Sequence, residues 1–160
     1  MKKLLMLSLV LPNVAWGACV GETLFSCPIQ GSSKVIEMCL KDEVLTYRFG
    51  RPGQPEIELT EPVAAGTYRP WNGIGRSITE AVTFTNRDYS YDVWWSLDRL
   101  EEDRPVTGGV TIFQGEKYLA QVECAPGTVG DSFEPILTDA MRANGQCWDY
   151  ASHSWQTTCD

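Results

Sequence analysis

The residues of this chain best suited to covalent or metal chemistry are six cysteines, Cys19, Cys27, Cys39, Cys124, Cys147 and Cys159, and one histidine, His153. A cysteine nucleophile needs a thiolate, helped by the start of a helix and by a histidine across a cleft. The string Gly145, Gln146, Cys147, Trp148 has some of that character, but here a helical pattern precedes the cysteine, and His153 stands only six residues on. A zinc site using His153 would also need thiolates. Both chemistries vanish once the cysteines are oxidised in pairs. His153 is then a surface residue of a Ser-rich tail, and a Ser-His-Asp triad around it has no nucleophile motif to support it. No metal site and no cofactor is expected.

Carboxylates offer a second chemistry. Glu101, Glu102 and Asp103 beside Arg104 form an acidic run. Such a run is ordinarily a solvated loop, because neighbours in sequence do not set the separation that glycoside hydrolysis requires. As a surface it would suit a basic partner. Gly73, Ile74 and Gly75 make a lone Gly-x-Gly with no strand before it and no amphipathic helix after it, so no nucleotide site is expected. The loop around them carries Arg69, Trp71, Asn72 and Arg76, and Trp and Arg are the residues that most often dominate interfaces. The structural alternative for Trp71 is a lid folded back on the end of the β domain. Trp94 is the best single binding candidate, because alternation places it on the polar face of its strand beside Asp92. A second layer covering it, such as a carboxy-terminal helix, is the alternative.

The elements that position these residues begin after an export signal. Lys2 and Lys3 precede an apolar run over residues 4–11, and Ala15 and Gly17 flank Trp16 at a small-residue cleavage site. That order is a cleavable secretory signal, residues 1–17, too short to anchor in a bilayer. A lipidated Cys19 is the weaker alternative, since Trp16 sits where the lipoprotein peptidase prefers a Leu-like residue. The formal charge of −8 becomes two units more negative when Lys2 and Lys3 leave. A field of that sign repels phosphate backbones, so nucleic acid is not an expected partner, and it favours cationic ones. No later segment is long and apolar enough to be a transmembrane helix.

Residues 18–160 read as one β-rich domain, with a core over about 24–124 and a helix over about 132–144. Residues 89–96 give the clearest strand, with Tyr89, Tyr91, Val93 and Trp95 inward and Ser90, Asp92, Trp94 and Ser96 outward; its partner is 81–85 across Asn86, Arg87 and Asp88. A second hairpin pairs 110–113 with 117–124, with Tyr118, Ala120, Val122 and Cys124 inward. A third pairs 35–40 with 44–49, with Leu45, Tyr47 and Phe49 on the core, and residues 57–59 form a further short strand. Phe133, Ile136, Leu137, Ala140 and Met141 recur at helical spacing, Asp131 and Glu134 have capping-box spacing, and Gly145 would stop the helix. The fold class is therefore mainly β, a small antiparallel barrel or sandwich with one amphipathic helix and a closed tail. Six cysteines in an oxidising compartment suggest three bridges among 15 possible pairings. Local pairing favours Cys27 with Cys39 and Cys147 with Cys159, which leaves Cys19 with Cys124 by elimination.

Phe25, Ser26, Cys27 and Pro28, then Cys39, then Tyr47, Arg48, Phe49 and Gly50, then the two hairpins ending at Cys124, make a stretch that resembles small exported, disulfide-bonded β proteins of proteobacteria whose function is unassigned. More loosely, export, size, disulfides and a β meander are similar to the periplasmic lysozyme inhibitors. Those of the membrane-bound and c-type group use a Ser-Gly-x-x-Tyr loop, and no such string occurs here, so none of their inhibitory residues carries over.

The expectation is a non-catalytic binding protein of the envelope or medium, with a protein, and a basic one, as its partner. An inhibitor of a basic cell-wall hydrolase would fit that description. The alternatives are an immunity or adaptor protein for a secreted toxin, a module of a larger surface assembly, or an envelope hydrolase using carboxylates such as Asp92 or Glu123. Oligomeric state and the choice between periplasm and medium are open at this point.

Overall fold

The computed structural model describes residues 19–131 and 133–159; the export signal expected over residues 1–17 lies outside them. The chain forms two open five-stranded antiparallel sheets and a two-stranded tail. The first sheet runs in the order β10 (Gly130–Asp131), β1 (Glu22–Pro28), β2 (Val35–Lys41), β3 (Val44–Arg51) and β4 (Gln54–Pro62). The second runs β5 (Tyr68–Arg69), β6 (Ser77–Asn86), β7 (Tyr89–Asp98), β8 (Val106–Gln114) and β9 (Lys117–Glu123). The tail hairpin pairs β11 (Cys147–Asp149) with β12 (Ser154–Gln156). Neither large sheet closes into a barrel.

Alternating strands explain the core. Met38 and Tyr47 from the first sheet and Phe84, Val93 and Val110 from the second belong to one buried cluster. In β1 the register shifts between Thr23 and Phe25, and this bulge turns the neighbours Leu24 and Phe25 both inward. The β2–β3 turn has positive φ at Asp42 and Glu43, the conformation whose twist matches a tight hairpin. All three expected hairpins are present, with longer strands than the alternation alone suggested.

Several expectations need correction, among them Tyr89, which is exposed rather than inward. Tyr118 is exposed rather than inward, because the β8–β9 register shifts between Ile112 and Phe113 and leaves Tyr118 packed edge-on against Phe113. Helix α1 spans Ile136–Ala143, shorter than expected, and makes no side-chain cap at its start. Asp131 is instead drawn into β10 opposite Phe25. Phe133, Leu137 and Met141 are buried as the spacing predicted, and Gly145 turns the chain away at positive φ.

The disulfides are Cys19–Cys39, Cys27–Cys124 and Cys147–Cys159, so only the tail pairing is as expected. Register is the reason. Cys39 lies opposite Thr23 and Cys27 opposite Ile36, at different heights of the β1–β2 ladder. Cys27 instead meets Cys124 beside the bridge between Ile29 and Cys124, joining the two sheets. Cys19 folds onto Cys39, and that bond occupies the sulfur a lipid thioether would require. No described helix is long and apolar enough to cross a membrane.

Candidate functional site

The outward residues of β7 create the first hollow. Trp94 stands between Ala81 on β6 and Gly109 on β8, its cross-strand partners. Neither neighbour has a side chain large enough to cover it fully, so the residue is half-buried, with its Nε1 covered. Gly109 is dictated by the backbone, since a Cβ there would come within 2.2 Å of the Val122 carbonyl oxygen. Next along β7, Asp92 accepts hydrogen bonds from Arg69 Nη2 and from Thr83 Oγ1, each at 2.8 Å. Opposite it, Thr111 Oγ1 donates to Gln121 Oε1 at 3.3 Å, and Gln121 Nε2 donates to Glu123 Oε1 at 2.8 Å. Thr79 and Ser96 share a hydroxyl hydrogen bond of 3.0 Å. The result is an open hollow of about 390 Å³ with Trp94 on its floor. Trp94 also borders a smaller hollow of about 250 Å³ lined by Pro105, Thr107, Pro126 and Val129.

A second hollow, of about 360 Å³, lies at the sheet edge. Strand β5 has only two residues, paired with Val82 and Ala81, so it ends before covering the first half of β6. The loop of residues 70–76 and the tail hairpin wall the gap, bringing Trp71, Asn72, Trp148 and His153 to it. Trp71 is fixed: its Nε1 donates to Ile74 O at 3.1 Å, and the Arg99 guanidinium lies over its ring at 4.8 Å. Asn72 Oδ1 accepts from the Ile74 amide at 3.1 Å, which stiffens the same loop.

Glu80 reaches this hollow from the core side and is the one buried charged side chain among the described residues, 3% exposed. Its Oε2 accepts from Trp95 Nε1 at 3.2 Å, and the Tyr68 hydroxyl lies within its hydrogen-bonding circle. Burial pushes its carboxyl up to about 7; Glu134 and Asp131 push the same way, while Trp95 and Tyr68 pull it back. Tyr68 Oη also donates to Glu134 Oε1 at 3.5 Å, and Thr138 donates to that same oxygen. A third hollow, of about 350 Å³, adjoins across Pro70 and Trp148 and is lined by Glu134, Thr138, Arg142 and Trp155.

The sequence-predicted residues therefore divide. Trp94, Asp92, Arg69 and Trp71 converge on adjoining hollows. Arg76 does not: it binds Asp98 at 2.7 Å and Glu101 at 2.5 Å on the β7–β8 loop, where Glu102 and Asp103 are exposed. Trp94 and Trp71 are both half-buried, and Trp71 is fastened within its own loop by Ile74 and against Arg99. Glu80 and Trp148 were missed. The signal for Glu80 was a charged residue in phase with inward Val82 and Phe84; Trp148 had none beyond its type. Among the described residues no group of three or more His, Cys, Asp or Glu could hold a metal ion. Asp92 accepts from Arg69 and Thr83, and Glu123 accepts from Gln121. No family model matches the chain, and no curated protein or solved structure matches it either.

Proposed function

We propose that this chain is a non-catalytic binding protein working outside the cytoplasm, its two sheets facing each other as a sandwich and the outer face of the β5–β9 sheet serving as its recognition surface. The observation that carries this reading is Trp94, held between Ala81 and Gly109 beside the Arg69–Asp92 pair. A half-buried large aromatic bordering a hollow next to oriented polar groups is a composition that suits a binding site. Three disulfides support work in an oxidising compartment, periplasm or medium. The test is affinity capture from solubilised envelope and from insoluble cell wall, comparing wild type with Trp94→Ala. Retention that depends on Trp94 supports the reading; equal retention by both, or hydrolytic turnover of wall material, defeats it.

An inhibitor of a basic cell-wall hydrolase is a second reading, favoured by a different feature. The β7–β8 loop exposes Glu102 and Asp103 with no ion pair among the described residues, on a chain of net charge −8. Binding to c-, g- and i-type lysozymes at low and physiological salt tests it. Sensitivity to Glu102→Lys and Asp103→Lys, without sensitivity to Trp94→Ala, would assign the contact to that loop.

A further inference from the structure

We infer that the ligand of the outer face is an uncharged saccharide chain, laid along the three adjoining hollows; this rests on the reading of that face as the recognition surface. The first and second hollows share Arg69, Thr79 and Ala81 as lining, and the second and third share Pro70 and Trp148. Indoles recur along this path: Trp94 in the first, Trp71 and Trp148 in the second, Trp148 and Trp155 in the third. Between them lie hydroxyls and amides, notably Thr79, Ser96, Gln121 and Asn72.

A pyranose ring has a flat face of C–H groups and a rim of hydroxyls that both donate and accept. Its counterpart is an aromatic surface with polar side chains at its edge, and each hollow combines at least one indole with hydroxyl, amide or charged side chains. A polyanion would require unpaired cations, but Arg69 is neutralised by Asp92 at 2.8 Å and the chain as a whole is acidic.

The rings are already in place. Trp71 is pinned by Ile74 and Arg99; Trp148 packs edge-on against Trp155 at 5.4 Å, and Trp155 Nε1 donates to Tyr68 O at 2.7 Å. Little side-chain freedom is left to lose on binding, which favours affinity.

The experiment is isothermal titration of the full, oxidised protein with hexa-N-acetylchitohexaose and cellohexaose as uncharged probes and hexagalacturonate as an anionic one. At least one uncharged hexamer should bind, more tightly than its dimer, with Trp94→Ala or Trp71→Ala weakening it about tenfold and Tyr118→Ala leaving it unchanged. Trp71 lies on a surface loop, so its variant keeps the test open if Trp94→Ala fails to fold. No binding of either uncharged hexamer at millimolar concentration, preference for the anionic one, or indifference to both tryptophan variants would overturn the inference. If a protein is instead captured in a Trp94-dependent manner while both uncharged hexamers fail, the saccharide assignment falls and the recognition surface stands.

Discussion

Replacing Glu80 by Gln keeps the size of the side chain and an oxygen acceptor for Trp95 Nε1, while removing a proton equilibrium. Glu80 is buried and holds its proton up to about 7, whereas in an unfolded chain it would titrate near 4.5. Between those values the folded protein binds a proton that the unfolded chain releases, so stability is fully present below about 4.5 and falls as pH rises through the folded value. Two and a half units at about 1.4 kcal/mol each give a loss of about 3 kcal/mol by pH 8. Glu134 and Asp131 face Glu80 from the segment before α1, and Tyr68 from β5; the carboxylates oppose its ionisation. Urea unfolding of the oxidised protein, followed by far-ultraviolet circular dichroism at half-unit steps from pH 4.5 to 8, isolates the effect as the difference between variant and wild type. That difference should start near zero and grow to about 3 kcal/mol in favour of Glu80→Gln. A difference that is flat with pH would refute the assignment of a buried, protonated acid at this position.

Other consequences can be checked in parallel. Non-reducing peptide mapping should recover the pairs Cys19–Cys39, Cys27–Cys124 and Cys147–Cys159. Replacing Cys27 and Cys124 by Ala opens a loop of 97 residues and should cost about 4 to 5 kcal/mol in denaturant unfolding. Phe133→Ala removes a fully buried ring that packs edge-on against Phe25 and Tyr68, with an expected loss of about 3 to 5 kcal/mol measured the same way. Asp92→Asn should lower stability by about 1 kcal/mol or less, because its partner Arg69 is half-exposed.

Local signals carried the hairpins and not the connections between them. Period-two alternation placed Val93 inward and Trp94 outward because one face of each strand is buried, and that constraint is visible within a few residues. The pairing of Cys27 with Cys124 was not visible, since it depends on how two sheets meet across 97 residues. Tyr118 was misplaced by one bulge, which inverts the side-chain faces beyond it and leaves no mark in the pattern. Asp131 and Glu134 had capping-box spacing, yet strand pairing claimed the first and Tyr68 and Thr138 the second. The residues of the outer face were legible as types, Trp94, Asp92, Arg69 and Trp71, but their convergence required β5 to stop after two residues.

The features that strain this fold gather on one side of it. The tail strands β11 and β12, three residues each, are too short to stand alone and depend on Cys147–Cys159 and on Trp155 stacked against Tyr68 at 5.9 Å. Tyr68 in turn reaches the buried acid Glu80, so the wall that presents Trp148 and the core behind β6 are tied through one side chain. The unpartnered buried atoms belong to Thr67 and Gln146 as well as Trp94 and Trp148, each lining a hollow or adjacent in sequence to a residue of this network. Each such group costs stability that an apolar residue or a made hydrogen bond would not, so these groups are the ones least favourable to folding.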